Sequence, residues 1–407
     1  MQQESDVSVD VAILLVLGIF SLVLGARIFS TSSWPPQSAY GLFIVVSATH
    51  SLTLGKTPFG DLRRSWSLIT LSFLVAAYGM YVAWVPANPD FVRRVVGAIL
   101  FIGGSVRLVG LFVDRAAARN WLSIGGVLIS LTIACSIVYA LTAILGALTL
   151  LGILAPTTTA ILLLLFTMSL FCVAHCLEQV DRLYPMDEGR ETATGDFGWV
   201  RQATLSNSQA FSFLMGTFFL CLGFLLSLVS VGLLPFSPDG QIATILTVVA
   251  VQIMSTRDAR HPDAKQSGSV LIIGVVLAGL GAVSATFPGA LTGVLSALFA
   301  IANLISGAIG LAAGFRSGAV AERSVVASEL RRVHAIQTVT SFLMLLLGLS
   351  FLAKIVWPSV FGHPLLSLAA AGILMITGFL YFARTVLLMR VERHQSRRVA
   401  EAQLAQA

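Results

Sequence analysis

The chain has 407 residues, of which 57% are apolar and only 11% charged, with a mean hydropathy of +0.90. A soluble domain carries about 25% charged residues, so the polar cover for a sizeable water-soluble domain is missing and the apolar surface must face lipid or other helices. The net charge of +6 does not mark a nucleic-acid partner, because the basic residues sit in short loops between apolar segments.

The N-terminal stretch Met1 to Asp10 contains Glu4, Asp6 and Asp10 but no Lys or Arg. It lacks the basic region of a cleavable signal peptide, so the first apolar segment reads as a retained signal anchor. A spanning helix needs about 20 apolar residues. On that measure spans are predicted over 11–29, 38–55, 66–86, 92–113, 122–143, 157–178, 210–233, 241–256, 268–287, 292–314, 336–356 and 365–388. Pro and Gly punctuate the turns: Trp34-Pro35-Pro36, Pro86 to Pro89, Pro235 to Gly240, Pro288-Gly289 and Trp357 to Pro364. Turns this short predict that consecutive helices form antiparallel hairpins. The expected fold is an all-α polytopic transmembrane bundle of about twelve spans, arranged as six hairpins in two pseudo-symmetric halves. The expected division is a cytoplasmic tail over 1–10, a first membrane half over 11–178, a cytoplasmic linker over 179–209, a second half over 210–388 and a basic tail over 389–407.

One stretch fits this scheme poorly. From Trp121 to Leu177 there is no Asp, Glu, Lys or Arg, which is long for two plain helices and short for four. Residues 144–156 either lengthen and tilt the fifth helix or form a re-entrant or interfacial piece, which only protein cover would permit. The lengthened helix is the preferred expectation.

Charge sets the expected orientation. The turns inside hairpins hold four cations: Arg27, Arg93, Arg94 and Lys354. The connections between hairpins and the C-terminal tail hold the other twenty-one. Short loops with this bias stay on the cytoplasmic side, so both termini are expected there, in a plasma (inner) membrane. The four cysteines, Cys135, Cys172, Cys176 and Cys221, all lie in apolar segments and do not form a secreted disulfide framework.

The two halves align with a shift of about 200 residues. Pro86 falls on Pro288, Gly104 falls near Gly307, and both Gly79 to Pro86 and Gly281 to Pro288 span seven residues. Within each half a smaller unit recurs, with Pro86 to Gly104, Pro288 to Gly307 and Pro358 to Gly378 at 18, 19 and 20 residues. Repeats of this kind are a primary fold signal. The segment from Ser269 through Gly279-Leu-Gly281 and Pro288-Gly289 to Leu304-Ile-Ser-Gly307-Ala-Ile-Gly310-Leu resembles the hairpin repeat of the HdeD-like (DUF308) membrane proteins. The resemblance is good over 268–315, fair over 66–113 and 336–388, and poor over 11–55 and 122–178. Members of that family hold three such hairpins, so this chain looks like two copies in tandem. The resemblance implies a bacterial or archaeal plasma-membrane protein linked to acid or envelope stress. It carries over no catalytic residue.

The sharpest chemical cluster is Cys172-Val-Ala-His175-Cys176-Leu-Glu178. Cys and His at this spacing bind zinc when a second element adds ligands, but the neighbouring spans offer only Cys135 and Cys221. The plainer reading is two small cysteines beside a His and a Glu that reach the headgroups. His50, near the cytoplasmic end of the second span, is either a pH-responsive group or a packing residue. Arg107 and Arg384 are the most membrane-embedded cations. Snorkelling to the boundary accounts for both, and an anion or headgroup site between helices is the functional alternative. Asn303 and Gln252 are expected to hydrogen-bond between helices. Stripes of small residues, Gly18 and Gly25 on the first span and Gly307, Gly310 and Gly314 on the tenth, let helix backbones approach closely.

No Asp or Glu lies in the middle of a predicted span, whereas proton and cation pathways normally rely on such carboxylates. There is no phosphate-binding glycine loop ending in GK[ST], no H-E-x-x-H and no G-x-S-x-G. The expectation is therefore a protein that is not an enzyme and has no cofactor or metal. Its expected partners are the bilayer, anionic headgroups at the basic loops and tail, and a second copy or a membrane complex. The leading function is a duplicated HdeD-like stress protein or scaffold. One alternative is a secondary transporter of the 6+6 major-facilitator plan, whose loop after span two is faintly echoed by Gly55 to Arg64 with one glycine displaced. The other is an accessory subunit of a larger membrane complex.

Overall fold

The computed structural model describes residues 9–34, 36–53, 66–85, 88–113, 117–153, 155–183, 207–234, 238–255, 268–289, 291–317, 325–357 and 364–406. Among the described residues every regular element is an α-helix. In chain order these are α1 (Val9–Thr31), α2 (Gln37–Thr53), α3 (Trp66–Trp84), α4 (Pro89–Val113), α5 (Ala117–Ile124), α6 (Val127–Leu151), α7 (Pro156–Leu183), α8 (Asn207–Ser230), α9 (Pro238–Ser255), α10 (Gly268–Thr286), α11 (Thr292–Ser317), α12 (Val325–Val356) and α13 (Pro364–Gln406).

Seven of these helices hold stretches long and apolar enough to cross a membrane: Val11–Thr31, Pro89–Val113, Val127–Leu151, Pro156–Val180, Gly293–Ala312, Arg331–Ala353 and Leu365–Leu388. Shorter apolar helices cover Gln37–Ala48, Thr70–Trp84, Met215–Ser230 and Ile272–Thr286. This is the make-up of a membrane-embedded, all-helical protein. A 25-residue helix such as α6 is about 37 Å long, enough for a hydrocarbon core of about 30 Å with some tilt.

The uncharged stretch resolves into one short helix and two long ones. Gly125 and Gly126, at φ +85° and +61°, break α5 from α6 in a backbone region that other residues rarely enter. Helix α6 then runs unbroken to Leu151. It ends at Gly152, whose left-handed φ of +69° turns the chain toward Pro156 at the head of α7. Residues 144–151 thus continue a spanning helix, and no re-entrant piece is present there. Helix α5 is not among the expected elements, and its last residues fall inside the expected span 122–143.

The chain falls into two compact units: Met1–Ala203 with Phe236–Leu291, and Thr204–Pro235 with Thr292–Ala407. In the first unit the closest pairs are α4 with α6, α1 with α7, α2 with α3, and α9 with α10. Helix α1 also touches α2, α9 and α10, and α9 touches α2 and α3. The core lies where these meet, with Leu42, Ile44, Val46, Met80, Ala243 and Leu246 all buried. Val92 and Val96 of α4 join Ile44 and Val82 at its edge. In the second unit the closest pairs are α8 with α13 and α11 with α12. Phe213 meets Phe382 edge-on at 4.6 Å in the former, and Phe299 meets Phe351 at 5.0 Å in the latter.

This pairing corrects the expected hairpins only in part, since α6 packs on α7 and α12 on α13 as expected. Helices α3 and α4, joined by the short Pro86 turn, are not among the packed pairs, and α1 packs far more closely on α7 than on α2. The tight pairs within a unit are instead α1 with α7, α8 with α13, and helices that follow one another across the longer basic loops. Glycines explain the choice. A Cβ on Gly97 would come 2.6 Å from the Leu150 amide nitrogen, and one on Gly104 would come 2.6 Å from that of Ala143. Backbones can approach that closely only where no side chain intervenes.

Candidate functional site

Buried polar side chains are spread along the helices, and six of them, Ser38, Asp239, Gln241, Thr244, Ser284 and Thr286, lie at one end of the first unit. Here α1 and α3 end, α2 and α9 begin, and α10 finishes. Helix ends leave carbonyl and N–H groups without partners in their own helix, and inside a membrane protein each needs a protein partner. Gln37 meets that need for α3: its side-chain amide donates to the carbonyls of Val82 at 3.0 Å and Val85 at 2.7 Å. Ser38 reaches across to the other helix pair and donates its hydroxyl to the Ala285 carbonyl at 2.7 Å.

The α9–α10 pair contributes the rest. Trp84, the largest fully buried side chain, directs its indole N–H at the Thr244 hydroxyl at 3.4 Å. Thr244 in turn donates to the Gly240 carbonyl at 2.8 Å. The Ser284 hydroxyl donates to the Asp239 carbonyl at 3.4 Å, and that of Thr286 to Ala282 at 2.8 Å. Asp239, only 7% exposed, is the buried carboxylate among the described residues. Gln241 lies on the same face of α9 as Thr244, three residues on. It is 5% exposed, and its amide nitrogen has no hydrogen-bond partner. From α1, Arg27 donates to the Trp34 carbonyl at 3.3 Å and lies over the Phe287 ring, 5.5 Å from its centre. The result is a buried polar belt with a carboxylate and an amide set into an otherwise apolar interior.

Comparison with known proteins gives no relative. No family model matches the chain, no curated protein matches it in sequence, and no solved structure matches it in fold.

The residues singled out in the sequence lie elsewhere. Arg107, part-exposed on α4, sits over the Tyr139 ring of α6 with its guanidinium carbon 6.0 Å from the ring centre, at the outer limit of a cation–π contact. Arg384 on α13 is half-buried, and its Nε has no hydrogen-bond partner. His175 is exposed and shares a hydrogen bond with Gln179 at 2.9 Å, one turn along α7. Glu178 pairs with Arg182 at 2.7 Å. Cys172 is exposed while Cys176 is buried, and among the described residues no group of three or more His, Cys, Asp and Glu could hold a metal ion. His50 falls near the end of α2 and Gly314 in α11, where side-chain surroundings lie outside the described structure; the same holds for Gln252 in α9.

The small-residue stripes sit against neighbouring helices. Gly18 lies against Phe171, and Gly25 faces Leu164 and the Ala160 carbonyl. Gly307 faces Ser341 and Leu345, and Gly310 lies against the Ser341 side chain. Asn303 differs from its expectation: its amide donates to the Phe299 carbonyl of its own helix at 2.8 Å rather than across to a neighbour. Sequence reasoning missed the polar belt altogether, because it took Asp239 and Gln241 as turn and boundary residues. The available signal was the 202-residue shift, which places Asp239 on Gln37.

Proposed function

We propose that the chain is a twelve-span plasma-membrane protein made of two six-helix repeats, not an enzyme, acting as a packed membrane scaffold of the HdeD-like, stress-linked type. The observation that carries this reading is that the same three helix pairs recur, closed by glycines at matched positions. Gly79 packs over Gly41, Ile44 and Val45, and 202 residues on Gly281 packs over Ala243, Leu246 and Thr247. Gly104 faces Tyr139 and Ala143, while Gly307 faces Ser341 and Leu345. Gly146 lies against Leu100 and Phe101, while Gly348 lies against Ala300 and Leu304. Gly25 faces Ala160 and Leu164, while Gly223 faces Ala371 and Met375. Each repeat then joins its first span to its sixth, its second to its third and its fourth to its fifth, the short α5 counting as no span. Both repeats hold an even number of spans, so they share one orientation and an axis along the membrane normal. The charge bias puts both termini in the cytoplasm. Helix α13 carries Arg390, Arg393, Arg397 and Arg398 past its apolar part, where anionic headgroups would hold them.

Helices closed on each other by glycine leave little room for a substrate path. Purified protein in proteoliposomes is therefore expected to give no ion or solute flux above that of empty vesicles. Fluorescent-protein fusions at either terminus should be bright, and secreted-phosphatase fusions there inactive. Saturable flux, or an active phosphatase at one terminus, would refute the scaffold or the orientation respectively. A second reading, secondary transport, is favoured by the buried polar belt with Asp239, since coupled transporters place carboxylates in their interiors. Saturable flux would select it.

A further inference from the structure

Three of the four cysteines meet where α6 packs on α7. Cys172 and Cys176 stand one turn apart on α7, and their thiols are within hydrogen-bonding reach of each other. Cys135 of α6 interacts with both, more strongly with Cys176. Cys135 and Cys176 are buried, whereas Cys172 is exposed. Met168 and His175, also exposed, share the face of α7 that carries Cys172 and Cys176. The fourth cysteine, Cys221, belongs to α8 in the second unit. Neither the polar belt nor the glycine seams use these thiols.

A disulfide is not open to the α7 pair. Cβ atoms four residues apart on a helix are separated by about 5–6 Å, whereas a disulfide needs about 3.8 Å. A metal ion between the sulfurs spans the wider gap, because two metal–sulfur bonds of about 2.3 Å each replace one sulfur–sulfur bond of about 2.05 Å. Thiolates are soft ligands, suited to Cu(I), zinc and iron–sulfur clusters. Structural zinc takes four ligands and a cluster usually four cysteines, and among the described residues no group of three or more His, Cys, Asp and Glu could hold a metal ion. His175 adds no further ligand, since its ring is hydrogen-bonded to Gln179 at 2.9 Å. Cu(I), singly charged and with a filled d shell, is satisfied by two sulfurs in line.

We propose that Cys172 and Cys176 form a two-thiolate site for the soft monovalent cation Cu(I). Each thiol gives up its proton as its sulfur bonds the ion, so one Cu(I) replaces two protons and the pair carries one net negative charge. Cys135 stays a thiol, and its S–H, a weak donor, offsets part of that charge beside Cys176. Cys176 lies four residues before Val180, where the apolar stretch ends, about 6 Å along the helix. The site is therefore near the membrane boundary, and the exposed Cys172 is the sulfur that an arriving ion meets first. It is independent of whether the protein is a scaffold or carries a solute.

The test titrates Cu(I) into the full chain in detergent, reduced and free of oxygen, against a colorimetric Cu(I) chelator. The wild type should withhold one Cu(I) per chain. Cys172→Ser and Cys176→Ser should each lose that ion, and Cys221→Ser should keep it. Cys135→Ser should hold it about tenfold more weakly, as expected of a group that supports a ligand without binding the metal. A second measurement needs no variant: maleimide labelling of Cys172, read by mass spectrometry, should be blocked by Cu(I) and not by zinc. A wild type that yields all its Cu(I) to the chelator overturns the site. So does retention that survives Cys172→Ser or Cys176→Ser, or labelling of Cys172 that Cu(I) leaves unchanged.

Discussion

Gly41→Leu is expected to abolish recovery of folded protein, while Gly103→Leu is expected to purify as wild type does. A Cβ on Gly41 would run into the Ala83 amide nitrogen, lie 2.5 Å from the Gly79 carbonyl and lie 2.6 Å from the Ala83 Cα. Every one of these is a backbone atom of α3, so no rotamer change relieves the clash and the two helices must part. Parting forfeits the dispersion contacts along the whole α2–α3 face. In a bilayer that loss is not offset, because lipid tails and side chains are equally apolar and close packing is itself the driving force. We expect a cost of about 3 kcal/mol or more for Leu, and about 1–3 kcal/mol for Ala. Gly103 is the matched control, since it is exposed on α4 and a Cβ there meets nothing within 4 Å. Leu at that position also gains helix propensity, roughly 0.8 kcal/mol over Gly. Fluorescence-detected size exclusion of tagged variants in mild detergent, followed by melting of the monodisperse ones, reads both effects. A normal profile for Gly41→Leu would mean that α2 and α3 do not pack as described.

How much of this was legible in the sequence depends on the range over which each signal acts. Helix existence is local: apolar runs about 20 residues long, ended by Pro and Gly, place α4, α7 and the apolar part of α13, Leu365–Leu388, close to where they lie. The break at Gly125-Gly126 was there to read, but without charges nearby the hydrophobic run masked it. Choice of partner is not local. Short Pro turns argued that α3 folds back on α4, yet a turn only brings helix ends together. Whether the shafts then pack depends on facing glycines, and Gly41 and Gly79 face one another from different helices. Spacing within one helix does not reveal which neighbour fills the gap. The polar belt was illegible for a related reason. Asp239 falls within the Pro235 to Gly240 turn and Gln241 at the edge of the expected span, and only the packing of α9 among α1, α2, α3 and α10 buries them. The internal repeat held the one usable clue, since an acceptor standing where its counterpart is a donor is a chemical change at a fixed place in the fold.

The contact between the two matched helix pairs supplies the second large expected effect. Trp84→Ala should destabilise the protein by about 3–5 kcal/mol, the range for emptying a buried aromatic site. Trp84 is 1% exposed, and its ring ends α3 where α9 crosses it. Removing it opens a cavity that its neighbour Thr244 cannot fill without moving α9. The hydrogen bond is the lesser part. At 3.4 Å the indole N–H is a long donor to Thr244, and the Thr244 hydroxyl keeps its own bond to Gly240 when the indole is lost, so no buried donor is orphaned on that side. Trp84→Phe, which retains most of the ring volume, should therefore cost about 1 kcal/mol. Thr244→Val should cost more than its size suggests, about 1–3 kcal/mol, because it leaves the indole N–H buried without an acceptor. Melting of the three variants in one detergent ranks them. The order Trp84→Ala, then Thr244→Val, then Trp84→Phe is the signature of an indole that fills the joint between α3 and α9. Equal melting of Trp84→Ala and wild type would remove that joint, and with it the packing that buries Asp239 beside α10.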